Sequence, residues 1–467
     1  MRALRLAPLA LIGLAACRTV GPDYHVPPQA MANAPDAGAP FRSGRNPAFA
    51  QAPLPTHWWR LYEDPALDAL VTEALAANTD LRAADADLSR AAAVVREAKA
   101  GALPATTLSG GVTLARPEGS TQALPGTLAY SLGGTVSYPL DLFGRIRRAV
   151  EAATADAEAT AAARDEVKVT VAAAVTRNYA AACSANRTLD ATRRVLTIER
   201  RTLDATQRLF RGGRGTVFDV TRAQAAVDQS AAAIPSILAQ RQAALYALGA
   251  LLGRAPADYP RAVESCAAPP TLKRLLPIGD GSALIRRRPD IREAERELAA
   301  ATAKIGVETA GLYPNVSFGG SAGLGGPFSG IGGGSSFGFS LGPLISWSFP
   351  NRAVAHARIA EAGAAAEAAE ARFDGSVIEA LRQTETALDA YARAIEQVRD
   401  LARARDSAAK ATDQADKLFR FGRTDFLSVL SAEANLANAE ATLAQARAAL
   451  VDRQIDVFLA LGGGWEE

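Results

Sequence analysis

The chain is poor in the side chains that most often do chemistry. Three histidines, His25, His57 and His356, and three cysteines are scattered over 467 residues, at spacings that support no metal site. The glycines of GGPFSGIGGGSS (Gly325 to Ser336) lack the Lys-Ser/Thr of a phosphate loop and read as a connection between strands. Charge of one sign is missing as well: 51 Lys and Arg against 49 Asp and Glu leave +2, so no field favours nucleic acid as a partner. Arg286, Arg287 and Arg288 stand close to Asp290 and Glu293 and read as an ion-pair cluster at a helix start. Aromatics are only 6% and alanine dominates the apolar residues, which suits helices packed side by side better than a thick core. No catalytic constellation or converging polar pocket is legible, so the chain reads as a non-enzyme without a cofactor.

A further absence is structural. Arg145 to Arg211 contains neither Pro nor Gly, a helix of roughly 100 Å at 1.5 Å per residue. Asn351 to Phe421 repeats the pattern, interrupted only by Gly363 and Gly375. Both runs end in matching words: RLFRGGRGTVFDVTRAQ from Arg208 and KLFRFGRTDFLSVLSAE from Lys417, at an offset of 209 (417 − 208). Each breaks at a glycine, Gly213 or Gly422, and restarts as a return helix about half as long, Asp219 to Leu252 or Asp425 to Leu461. Earlier segments repeat too, TDLRAADADL with PDIREAEREL. One unit is therefore duplicated. The expected organisation is a signal segment (1–16), an extended Pro-, Ala- and Gly-rich leader (17–64), a first repeat (65–253), a connector (254–281) and a second repeat (282–467). Pro65 opens a helix expected to run to Leu103, and this helix and its counterpart over 290–312 are available to extend the return helices end to end.

Between these helices the period changes to two. Leu108, Val112 and Leu114, then Leu128, Tyr130, Leu132, Val136 and Tyr138, alternate with Thr, Ser and Gly. The second copy repeats this with Val316, Phe318 and Leu324, then Phe337, Phe339, Leu341, Ile345, Trp347 and Phe349. Strands with one apolar and one small polar face, and aromatics toward their ends, fit a transmembrane β-barrel. A soluble two-sheet sandwich is the alternative, and the long helices speak against it. Four strands cannot close a barrel, so the barrel is expected to be shared between subunits.

At the N-terminus, Arg2 and Arg5 precede an apolar run, Leu6 to Ala16, too short to span a bilayer. Small residues directly before Cys17 resemble the bacterial lipoprotein signal, which implies cleavage there and a covalent lipid on Cys17; an ordinary signal peptide with an incidental Cys is the plainer reading. Arg18 is not the Asp that retains lipoproteins on the inner membrane. Cys183, inside a long helix, and Cys266, in the connector, then remain in an oxidising compartment, and the sequence supplies no distance between them.

The segments WWRLYEDPALDALVTEALAANTDLRAA (from Trp58), SYPLDLFGRIRRAVEAATADAEAT (from Ser137), LIRRRPDIREAERELAAATAKIGVETAGLYPNVS (from Leu284) and GPDYHVPP (from Gly21) together resemble the outer membrane factors of Gram-negative bacteria. The subgroup is the NodT/OprM-like efflux lipoproteins of the TolC superfamily. The resemblance implies an α+β membrane protein with a trimeric TolC-like fold. Each protomer gives four strands to a shared transmembrane β-barrel and long antiparallel coiled-coil helices to a periplasmic tunnel. It implies an outer-membrane exit duct conducting drugs, metals or other small toxic solutes, partnered by a periplasmic membrane-fusion (adaptor) protein and an inner-membrane pump of RND or similar type. A type I protein-secretion duct shares the fold, and a periplasmic adaptor lipoprotein is a more distant alternative. The tips Gly212, Gly213, Arg214, Gly215, Thr216, Val217, Phe218 and Asp219, and Gly422, Arg423, Thr424, Asp425, Phe426, Leu427 and Ser428, are the implied adaptor contacts. A bare turn accounts for the glycines equally well, and helix starts account for both aspartates. Leu427 matches the family's apolar constriction, while Ser431 stands where relatives carry a gate Asp; Glu433 or Asp425 is the expected substitute.

Overall fold

The computed structural model describes residues 19–115, 127–347 and 352–463. Cys17, Ser348 and Phe349 lie outside the described residues. In chain order the main elements are helices α1 (Pro65–Ala77) and α2 (Thr79–Ala100), strands β1 (Ala105–Ala115) and β2 (Thr127–Leu140), and helices α3 (Arg145–Arg211) and α4 (Val217–Leu251). After the connector come helices α5 (Gly281–Arg287) and α6 (Pro289–Ala310), strands β3 (Asn315–Pro327) and β4 (Phe337–Ser346), and helices α7 (Arg352–Arg420) and α8 (Phe426–Ala460). The duplication is thus repeated element by element. Gly363 and Gly375 are accommodated inside α7 and Pro235 inside α4.

The single helix expected over 65–103 is two helices, and this corrects the sequence reading. Asn78 turns to extended backbone, and its side-chain oxygen caps α2 by accepting from Asp80 N at 2.9 Å and Leu81 N at 3.1 Å. Pro104 lies beyond the end of α2, which closes at Ala100.

The chain forms two compact units. One contains Asp87–Ala161, Glu293–Asp374 and the leader up to Ala30. Its centre is an antiparallel sheet in the order β1-β2-β3-β4. The register keeps apolar positions opposite one another: Val112 faces Tyr130, Leu132 faces Leu324, Tyr138 faces Phe318 and Val316 faces Ile345. One face is therefore apolar throughout, and it is not covered: Leu108 is 80% exposed and Phe339 75%, with Leu341 and Ile345 beside them. The other face is mostly Ser, Thr and Gly, with Leu344 its one large apolar residue, and no charged residue stands in the four strands. Rows of small residues let strands approach, since a side chain at Gly323 would meet Leu132 O at 2.9 Å. Where the sheet meets the helices, Phe143 stacks on Tyr313 at 4.4 Å and Trp347 Nε1 donates to Leu312 O. At the opposite end Tyr130 packs against Phe328.

Arg148 ties the leader to this unit. Its guanidinium is buried, donates to Val20 O and Gly21 O, and pairs with Asp23 at 2.6 Å and Glu151 at 2.7 Å. Val20 N donates to Phe143 O, and Thr19 lies against Gly144, whose φ of 78° places it in the left-handed region.

The second unit holds Met31–Ala86, Ala162–Arg292 and Gly375–Glu467. Its core stacks Trp58 on Phe458 at 4.4 Å with Tyr62 edge-on to both, and Leu245, Leu248 and Ile455 are fully buried in the same unit. Gln454 links two tyrosines, accepting from Tyr62 and donating to Tyr391. Asn78 and Arg288 stand 210 residues apart (288 − 78) and do the same work: Asn78 Nδ2 donates to Leu251 O at 3.0 Å, Arg288 Nη1 to Ala460 O at 2.8 Å. Each satisfies a carbonyl left over at a helix C-terminus, so the next helix is joined to the end of a return helix, as the sequence predicts. Of the basic run, Arg288 pairs with Asp290 at 2.6 Å, while Arg287 donates to Leu54 O at 2.8 Å. Cys183 and Cys266 form a disulfide with Cα atoms 5.1 Å apart, settling what spacing left open.

Candidate functional site

Two helical hairpins turn at the sequence-marked glycines. In the first, Gly213 takes φ 70°, and Arg214 N donates to Leu209 O at 2.9 Å, closing the end of α3. Thr216 then caps α4. Its hydroxyl accepts from Asp219 N at 3.2 Å, while Asp219 Oδ2 accepts from Thr216 N at 3.0 Å and Thr216 Oγ1 at 2.7 Å. This is a capping box with Asp in place of the usual Glu.

In the second hairpin Gly422 takes φ 68°, and Arg423 N donates to Leu418 O at 2.8 Å. Asp425 caps α8 by accepting from Ser428 N at 2.8 Å and Ser428 Oγ at 2.5 Å. The Ser428 hydrogen bonds lower the pKa of Asp425, and Thr216 does the same to Asp219. Both carboxylates are thus committed within their own turn. Phe419 and Phe426 pack at 5.8 Å beneath it.

What each tip offers outward is apolar and basic. Val217 and Phe218 are more than half exposed, Phe421 is 80% exposed and Leu427 41%. Arg214 and Arg423 are exposed beside them, Gly212 is open, and Thr424 is half-buried. Arg222 lies over the Phe218 ring at 5.5 Å. Phe421 and the partly exposed Phe210 and Leu418 were not singled out in the sequence. The available signal was an aromatic immediately before a left-handed glycine, where no chain follows to cover it.

Along α8, Leu427, Ser428 and Ser431 share an exposed groove with Ser407, Ala408 and Ala411 of α7. Glu433 does not join them, which corrects its expected place in an acidic ring. It is buried, and Thr202 of α3 donates to its Oε1 at 2.5 Å. Asp425, the other substitute, accepts from Ser428 through Oδ1 and keeps its exposed charge at the start of α8. The groove that carries Leu427 and Ser431 is otherwise lined by Ser, Ala and Asn side chains and holds no charged residue.

Among the described residues no cluster of acids, histidines and cysteines could hold a metal, and no helix is long and apolar enough to cross a membrane. A bare apolar sheet face is incompatible with water over such an extent, and the uncharged strands with terminal aromatics suit a barrel wall in lipid. The class is an outer-membrane channel carrying long helical hairpins. The model of the outer membrane efflux protein family matches residues 70–254 and 281–463, and the chain belongs to that family. Nodulation protein T of Rhizobium leguminosarum bv. trifolii is 29% identical over 423 residues, 90% of this chain and 88% of that protein. The solvent efflux pump outer membrane protein SrpC of Pseudomonas putida is 29% identical, covering 100% of this chain and 99% of its own. Among solved structures, the outer-membrane channel OprN superposes with a TM-score of 0.88 at 34% identity, covering 96% of this chain and 99% of that one. The fold is TolC-like, and the protein is an outer-membrane exit duct for efflux, a conduit with no catalytic activity.

Proposed function

We propose that the duct is a homotrimer whose pooled strands close one barrel, and that its hairpin tips dock a periplasmic adaptor coupled to an inner-membrane pump. The observation that carries the trimer is the pair of open sheet edges. β1 and β4 each have one paired neighbour, and unpaired backbone is not tolerated in hydrocarbon. Three such sheets supply about twelve strands, enough to close around a pore.

The docking surface is assigned to Val217, Phe218, Phe421, Arg214 and Arg423, the side chains left exposed once Thr216, Asp219, Asp425 and Ser428 have made their caps. Leu427 is the constriction, three copies narrowing the mouth by excluding water. Ser431 leaves that mouth without the family's acidic ring. Cys17 carries the lipid: Thr19, two residues on, lies against Gly144 close to the end of β2, which suits an anchor at the membrane surface. Small toxic solutes are the cargo, and a wall of Ser, Thr and Gly does not sort them by charge.

The protein purified in detergent from outer membranes should run at three times the protomer mass and carry a lipid whose ester-linked acyl chains are released by mild base while a thioether-linked glycerol and an amide-linked acyl chain stay on Cys17. A monomer of the same chain, soluble without detergent, would sink the shared barrel.

A further inference from the structure

Helices α3, α4 and α8 meet along faces of small residues, and between them lies a cavity of about 270 Å3. Its walls mix alanine methyls, among them Ala191, Ala226, Ala233 and Ala437, with the neutral polar side chains of Thr188, Thr192, Gln229 and Asn438, and no Lys or Arg lines it. Glu199 of α3 projects into this space. It is 6% exposed, and its Oε2 has no hydrogen-bond partner; the Ser230 hydroxyl serves the carboxylate from α4. Three residues along α3, Thr202 holds one oxygen of Glu433, which is 7% exposed and whose Oε2 also lacks a partner. Glu440, which also lines the cavity, is answered by Arg405 at 3.4 Å.

A buried carboxylate without a partner is costly. Burial raises the pKa of Glu199; burial first, and then repulsion from Glu199 and Asp416, raises that of Glu433. A raised folded-state pKa means that the seam is most stable below the ordinary carboxylate range and loses that stability as pH rises and both acids ionise. Near neutrality the chain supplies no cation inside the cavity.

We propose that this cavity binds a small amphiphilic organic cation, a primary ammonium bearing an apolar group, with the nitrogen donating to Glu199 Oε2 and the apolar part lying on the alanine walls. A bare metal ion would find one unpaired carboxylate here, since Glu440 is held by Arg405, and among the described residues no cluster of acids, histidines and cysteines could hold one. A neutral apolar molecule would leave Oε2 unpaired, and an anion would be repelled. The site lies within the helices of one chain, apart from the tips, so it does not depend on adaptor docking. An occupant also offsets the repulsion between Glu199 and Glu433 and so tightens the seam.

The test is saturable binding of 2-phenylethylammonium to the full-length protein in detergent, by titration calorimetry near neutral pH, with 2-phenylethanol as the uncharged control. Binding is expected for the amine and not the alcohol. Glu199→Gln, which keeps the shape, should weaken it at least about tenfold, the loss of a charge-assisted hydrogen bond. Ala437→Leu, which fills the space, should remove it. Acidification should weaken binding as protons compete for Glu199 and Glu433. No saturable binding by the wild type, or equal binding by wild type and Glu199→Gln, overturns the proposal.

Discussion

At the first tip a hydroxyl caps the return helix and an acid answers it three residues later; at the second, the acid caps and the hydroxyl answers. Thr216 and Asp219 correspond to Asp425 and Ser428 at the constant offset of 209 (425 − 216), with the two chemical roles exchanged. The glycines before them have nearly the same φ, 70° and 68°. Both turns set an acid and a hydroxyl three residues apart in opposite order, but only the first closes a full capping box, since Ser428 Oγ bonds the Asp425 side chain and not its backbone N–H. What distinguishes the tips is what stands around the turn: Gly212 is matched by Phe421 and Phe218 by Leu427. A second asymmetry lies farther along, since Cys183 is disulfide-bonded while its counterpart is Ala392.

The largest expected effect breaks that second asymmetry. Cys183 and Cys266 are 83 residues apart, and a bridge of that span restricts the unfolded chain by about 4.5 kcal/mol in the chain-entropy model. Cys266→Ser should release the connector and the Cys183 segment, seen as faster amide hydrogen exchange there and not around Ala392. Equal exchange in wild type and variant would show the bridge to be idle.

Next comes the apolar difference between the tips. Phe421→Ser should weaken adaptor binding by roughly thirtyfold, about 2 kcal/mol, as for a central aromatic anchor, and leave the trimer and the exchange of the α8 cap unchanged. Loss of trimer together with binding would assign Phe421 to the fold instead. The smallest effects concern the caps. Thr216→Ala should cost about 1 kcal/mol of local stability, whereas Thr216→Asp with Asp219→Ser, which writes the second tip's cap into the first, should restore wild-type exchange. Because Asp219 and Asp425 have lowered folded-state pKa values, their contribution is present above the ordinary Asp range and is lost as pH falls through the folded value. Both caps should therefore loosen in strong acid, and the Thr216→Ala, Asp219→Ala double variant should show no such dependence at the first tip.

The extent to which the fold was legible follows from what local patterns can carry. The run without Pro or Gly marked α3 to the residue, Arg145–Arg211, because breakers act locally. Alternation located the strands, and the apolar face survived pairing because every partner register matched it. The break at Asn78 was missed because Thr79 and Asp80 read as the continuation of a helix, and only the buried Asn78 side chain, bonded to Leu251, explains it. The orientation of Glu433 was equally hidden. Two residues along a helix is the difference between Ser431 in the open groove and Glu433 against Thr202, and sequence does not say which face meets which neighbour. Cys183 and Cys266 needed a distance that spacing does not contain.

The most direct test is single-channel recording of the purified protein in planar bilayers, wild type beside Leu427→Ala. A gated trimeric duct predicts a discrete, mostly closed conductance that widens when Leu427 is shortened and is unchanged by Phe421→Ser. Absence of discrete current, or a conductance indifferent to Leu427, would contradict the account.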